Sequence, residues 1–235
     1  MIARDGWTFI LIGLFITAGL IYAATRWDNK TAFVLGLLFA LLTVFVTFFF
    51  RDPDRSFEPR PGLIVSPADG KVVVIDTLTD HEFVGPGTIQ VSIFLSVFDV
   101  HVNRLPADGR IEYVNYNPGK FLAAFEEKAS MLNEQTEIGM VTDNGQRLAF
   151  KQIAGMIARR IVCRLKPADR SVAGKRFGMI RFGSRVDVLL PADSRLAVKL
   201  GDRVKGGETP IGFLASAQEP RSDNEHAEKE SDARL

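Results

Sequence analysis

Two uncharged apolar runs, separated by five residues, dominate the first quarter of the chain and limit what it can become. Thr8–Thr25 is 18 residues without a charge and Thr31–Phe50 is 20. At about 1.5 Å per helical residue these reach roughly 27 and 30 Å, the thickness of a hydrocarbon core. Trp7 and Trp27 flank the first run, where amphipathic rings suit a membrane interface. A cleaved secretory signal ending near Ala23-Ala24 would explain one run, but not a second that follows so soon. A buried hairpin in a soluble core would need a large apolar surround, and the remaining sequence is too polar to provide one. Residues 1–50 are therefore expected to form a transmembrane helical hairpin with spans at 8–25 and 31–50. Arg51, Arg55 and Arg60 follow the second span, while Arg4 and the α-amino group precede the first. The connecting loop carries Arg26 and Lys30, so the balance places both termini in the cytoplasm.

The rest of the chain reads differently. Arg51–Pro61 (RDPDRSFEPRP) is a charged, proline-bearing linker. From Gly62 to Ser216 most segments read as short strands: Lys71–Asp76, Thr88–Ser96 and Arg110–Tyr116 are rich in β-branched and aromatic residues. Asp143-Asn144-Gly145 marks a hairpin between Ile138–Thr142 and Arg147–Lys151, with further strand reaching Leu165. Leu122–Gln135 interrupts this pattern with helix formers at helical spacing. Gly201–Ala215 looks like the closing hairpin of a barrel-sandwich domain, and SPADGKVVVI like its other half. The expected fold class is α+β and β-rich: the membrane hairpin, then one compact β-sandwich or hybrid-barrel domain at 62–216. Residues 217–235 are polar, without aromatics, and are expected to be a disordered tail.

Composition removes some functions. A net charge of +1 gives no electrostatic case for nucleic acid as a partner. The single cysteine, Cys163, cannot form an intramolecular disulfide, so nothing indicates adaptation to an oxidising compartment. One cysteine and three scattered histidines give no metal-ligand spacing.

Three segments carry the candidate chemistry. In RFGSRVDVLLP (Arg181–Pro191), Gly183-Ser184 stands at the mouth of a strand in which Val186, Val188 and Leu190 alternate. FDVHVNRLP (Phe98–Pro106) holds His101, the only histidine within an alternating apolar segment; His81 lies in a loop-like stretch and His226 in the tail. SPADGKV (Ser66–Val72) places Asp69 in a proline-glycine turn. Asp99 is its rival as partner to His101, being two residues away and on the same strand face.

In order and separation, SPADG, FDVHVNR, GKF and FGSRVDV resemble the phosphatidylserine decarboxylase proenzymes, specifically their short, membrane-anchored bacterial branch. The resemblance implies a chain that cuts itself between Gly183 and Ser184. Ser184 then becomes a covalent pyruvoyl cofactor that decarboxylates phosphatidylserine to phosphatidylethanolamine and CO2 through a Schiff base. It implies catalytic roles for Ser184, His101 and Asp69, the last as the acid that orients the histidine. It implies a heterodimer of fragments 1–183 and 184–235, leaves higher oligomers open, and makes a membrane phospholipid the substrate. A bacterial inner membrane, with the catalytic domain on its cytoplasmic side, is the expected location. Asn117–Gln135 also resembles the family, with Phe121, Leu122 and Phe125 able to face lipid and Lys120 or Lys128 able to meet a phosphate. Arg104 stands where the long forms carry the second histidine of an H-x-x-H pair, and Arg185 follows the serine where many of them carry threonine. Two alternatives stay open at this point: a non-enzymatic membrane-anchored adaptor, and the same chemistry on another serine phospholipid.

Overall fold

A computed structural model describes residues 1–119, 133–155, 160–181 and 184–215. Helices α1 (Trp7–Arg26) and α2 (Lys30–Phe49) form the hairpin, matching the expected spans to within one or two residues. Asn29 starts α2 by accepting the Ala32 amide at 3.0 Å, which satisfies one of the helix's free N–H groups. The helices approach closely because small residues meet at their seam: a Cβ on Gly13 would collide with the Thr43 hydroxyl, and one on Gly36 with Ile21. Their outer faces are bare, with Phe15 82% and Leu41 60% exposed. Such exposure is incompatible with a soluble core helix and compatible with membrane anchoring, for which both helices are long and apolar enough.

Fourteen strands follow among the described residues: β1 (Leu63–Val65), β2 (Gly70–Thr77), β3 (Ile89–Leu95), β4 (Val102–Arg104), β5 (Gly109–Asn117), β6 (Gln135–Thr142), β7 (Arg147–Ala154), β8 (Ile161–Cys163), β9 (Arg170–Ser171), β10 (Arg176–Ile180), β11 (Ser184–Leu190), β12 (Arg195–Leu196), β13 (Arg203–Val204) and β14 (Pro210–Phe213). An eight-stranded sheet runs β13-β2-β3-β11-β7-β6-β5-β9, with three-stranded sheets β4-β10-β8 and β1-β14-β12 beside it. All pairings are antiparallel. The sheets share one apolar core, in which Val72, Ile93, Leu95, Phe150, Val186 and Val188 are fully buried. The fold is α+β and β-rich.

One local expectation holds and others change. The β6–β7 hairpin turns at Asp143-Asn144-Gly145, with Gly145 at φ +80°, a left-handed conformation that glycine adopts without strain. The strand expected to reach Leu165 stops at Ala154, and β8 leaves the large sheet to pair with β10. Gly201–Ala215 is not a hairpin, because the backbone groups of its turn bond Ser66 instead of bridging β13 to β14. Its two strands pair separately with the upstream half, β13 with β2 and β14 with β1. The helix expected over Leu122–Gln135 lies largely outside the described residues, and Gln135 itself opens β6.

Arg51–Pro61 has no regular structure, yet charge pairs strap it to the strands. Arg104 donates to Asp52 at 2.9 Å, to the Pro53 carbonyl at 2.8 Å and to the Gly174 carbonyl at 3.0 Å. Arg104 and Asp52 are 5% and 6% exposed, and Arg176 also binds the Asp52 carboxylate. Removing one partner of a buried pair leaves the other charge uncompensated, which costs about 3–5 kcal/mol when no substitute remains. Because Arg176 stays, Arg104→Met should destabilise the protein by ~2–4 kcal/mol and open the linker. Limited proteolysis should cut the variant at Arg55 or Arg60 where the parent resists; equal resistance would show that the strap contributes nothing.

Candidate active site

The chain passes from the large sheet to the β4-β10-β8 sheet and back at neighbouring strands. β3 leads to β4 through Ser96–His101, and β10 leads to β11 through residues 181–183. β3 and β11 are antiparallel neighbours in one sheet and β4 and β10 in the other, so the end of β10 and the start of β11 lie beside the ends of the Ser96–His101 connection. Ser184 opens β11 opposite Leu95 at one corner of this crossover. His101 lies at the other corner, its carbonyl accepting the Ile180 amide at 3.4 Å. Gly183 lies outside the described residues.

Strand alternation puts Ser184 on the core face with Val186, Val188 and Leu190. It is fully buried between Leu95 and Ala154, and its hydroxyl has no hydrogen-bond partner among the described residues. A buried hydroxyl left without a partner costs about 1–3 kcal/mol and adds nothing to stability. The reverse face of the strand is also polar. There Arg185 donates to Asp187 at 2.7 Å and to Ser92 at 2.6 Å, within the sheet's interior.

His101 is fully buried too. Its Nδ1 lies 3.0 Å from the Asp99 carbonyl oxygen. A carbonyl only accepts, so Nδ1 carries the proton and Nε2 presents a bare lone pair. That Nε2 is buried and has no partner among the described residues. The ring packs against Phe49 at a centroid distance of 4.2 Å, so the end of α2 forms a wall of the site. Burial pushes the imidazole pKa down to about 4, with Arg51 adding to the effect and the Asp99 carbonyl and charge opposing it. The result is an imidazole that is neutral at pH 7 with a free proton-accepting atom. His101 is not within a strand, as its alternating neighbours suggested; it stands one residue ahead of β4, fixed by Asp99 and Phe49.

The two candidate carboxylates are otherwise engaged. Asp99 orients the imidazole through its backbone, while its side chain accepts from the Ser96 amide at 2.8 Å and hydroxyl at 2.7 Å, and from Arg203 at 3.3 Å. Asp69 accepts from the Gly206 amide at 2.7 Å and from Arg55 at 2.9 Å. Burial raises its pKa, opposed by the Gly206 amide and Arg55. Among the described residues neither carboxylate bonds His101, although Asp99 and Arg51 act electrostatically on both Asp69 and His101. His81 lies elsewhere, accepting the Phe83 and Val84 amides and facing Glu137 at 3.5 Å, a turn-holding role. His226 lies outside the described residues.

Reasoning from the sequence missed Phe49 and Arg51 as parts of this site. The signal was present in Phe48-Phe49-Phe50-Arg51, aromatics and a cation at the foot of the second span.

A family model described as phosphatidylserine decarboxylase matches residues 42–212. A phosphatidylserine decarboxylase proenzyme of Symbiobacterium thermophilum is 46% identical over 214 residues, covering 91% of this chain and 96% of the relative. Proteins of the same description from Desulfotalea psychrophila and Paramagnetospirillum magneticum are each 44% identical, over 91% and 94% of this chain and 96% and 90% of the relatives.

Proposed function

Because the chain belongs to the phosphatidylserine decarboxylase family, we propose that it cleaves itself at Gly183-Ser184 and then converts phosphatidylserine to phosphatidylethanolamine and CO2. The observation that carries this reading is the pair of buried atoms at one crossover that have no hydrogen-bond partner among the described residues, Ser184 Oγ and His101 Nε2. Nε2 takes the proton from Ser184, whose oxygen attacks the Gly183 carbonyl carbon; the peptide C–N bond breaks and an ester forms. β-Elimination then removes the proton from Cα of residue 184, forms the Cα=Cβ bond and breaks the Cβ–Oγ bond, releasing the Gly183 carboxylate. The dehydroalanine left at position 184 takes up water and loses ammonia, becoming pyruvoyl. That carbonyl supplies the electron sink through which the serine carboxylate of the lipid leaves. His101, protonated in turn, is suited to return a proton to the carbon that loses CO2. Asp69 completes the set as a carboxyl that shares the electrostatic surroundings of His101 without bonding it.

The strand pairing supports a lasting heterodimer of the two fragments. β11 belongs to the smaller fragment but lies between β3 and β7 of the larger one, and β13 and β14 pair with β2 and β1. The excess of arginines at the domain end of the hairpin favours the cytoplasmic face of a bacterial inner membrane. Intact-mass measurement of the purified protein tests the reading. Two fragments are expected, 1–183 and 184–235, the smaller lighter by one ammonia than a serine-started peptide and reactive toward hydroxylamine. A single intact chain in an active preparation would overturn it.

A further inference from the structure

A groove of about 710 Å³ runs between the two membrane helices, lined by Ile10 and Leu14 on one side and Ala40, Val44 and Thr47 on the other. It ends at Phe48 and Arg51, beside the candidate site. We propose that this groove is the subsite for an acyl chain of the phospholipid substrate, with Arg51 at its foot binding the phosphate; this rests on the decarboxylase reading.

Three observations fit this occupant. The first is charge. Arg51 donates to two neutral carbonyls, Phe48 at 3.0 Å and Phe98 at 2.6 Å, and its guanidinium lies 3.9 Å from the Phe48 ring centre. Among the described residues no carboxylate comes within ion-pair distance of it, whereas Arg55, Arg104, Arg176 and Arg185 each hold one. A cation braced by carbonyls at the foot of an apolar groove complements a phosphate attached to a hydrocarbon chain. The second is continuity. The Arg51–Phe98 bond ties the foot of the groove to the loop that carries Asp99 and His101, and Phe49, two residues before Arg51, packs on the imidazole. A lipid held with its phosphate on Arg51 would therefore present its serine headgroup at the crossover. The third is size: the volume falls within the usual 300–1,000 Å³ range of small-molecule sites.

The test compares turnover of dioleoyl- and dihexanoyl-phosphatidylserine in mixed micelles. Val44→Trp, which fills the groove, should lower the long-chain to short-chain ratio of kcat/KM at least about tenfold, equivalent to losing burial of about two methylenes. Thr47→Phe should act likewise if Val44→Trp fails to self-cleave. Leu41→Trp, also exposed on α2 but not among the residues lining the groove, should leave the ratio unchanged. Arg51→Gln should raise KM for both lipids, since both carry the phosphate. A ratio unmoved by both filled variants, or moved equally by Leu41→Trp, would overturn the proposal. In a second arm, the wild-type chain is irradiated in phosphatidylserine vesicles whose lipid carries a diazirine in its acyl chain. Labelling concentrated at Leu14 and Val44 is expected, and even labelling around both helices would overturn the groove. If the wild type turned over neither lipid, the decarboxylase reading would fall while the labelling arm still judged the groove.

Discussion

Ser184→Ala should yield a single 26.0 kDa chain that is folded, uncleaved and inactive. The substitution removes one oxygen that has no hydrogen-bond partner among the described residues, so no bond described there is lost. Ser184 is fully buried between Leu95 and Ala154, and a methyl group suits that apolar position at least as well as an orphan hydroxyl. Thermal stability should therefore equal or exceed that of an uncleaved parent chain. Activity should fall by at least about 10⁴-fold, the scale on which loss of a covalent nucleophile is felt. Electrophoresis and mass measurement report cleavage, and headspace detection of CO2 from carboxyl-labelled phosphatidylserine reports turnover. A variant that still separates into two fragments would move the cut to another bond. A variant that stays whole but still decarboxylates would remove Ser184 from catalysis. Because the fold is expected to survive, a loss of activity here cannot be assigned to unfolding.

The parts of this protein that were legible in its sequence are those governed by local periodicity. Uncharged runs of helical length gave the hairpin nearly to the residue, and alternation at Val186, Val188 and Leu190 gave the strand that Ser184 opens. Asp143-Asn144-Gly145 gave its turn because few residues tolerate a positive φ. What was illegible depends on partners distant in sequence. Asp69 sits in the turn expected of PADG, but its partners come from Arg55 and from Gly206, 14 and 137 residues away. Asp99 and His101 share a face by spacing, and that logic favoured a carboxylate contact; the turn after β3 instead gives the side chain to Ser96 and the carbonyl to the ring. Arg104, visible only as a departure from the long forms, turns out to bind the linker through Asp52 and Pro53. Phe49 belonged by composition to a membrane span, and only the packing of the hairpin onto β4 and β10 brings it against the imidazole. A membrane anchor that also walls the site is a tertiary fact with no periodic signature.

His101→Gln should slow self-cleavage by about 10²–10⁴-fold, the usual contribution of a positioned base. Glutamine can keep a donor to the Asp99 carbonyl, so the loop is retained while the lone pair at Nε2 is lost. The pH profile separates this role from a packing role. The folded pKa of His101, about 4, lies below the ordinary 6.5 because burial disfavours the charged ring. The base therefore remains unprotonated far below neutrality, and cleavage of freshly translated chain in lipid nanodiscs should stay level from pH 7 to about 5 before falling. An ordinary exposed histidine would lose half its rate near 6.5. The same displacement fixes the sign of a stability effect. Below 6.5 the unfolded chain gains a proton that the folded chain refuses, so stability drops as pH falls from 6.5 towards 4, by up to about 3 kcal/mol. His101→Gln should abolish that increment of acid sensitivity while slowing cleavage at every pH. Wild-type cleavage speed in the variant would exclude His101 as the base. A parent profile that breaks near 6.5 would mean that the imidazole is not shielded by Phe49 in the working chain.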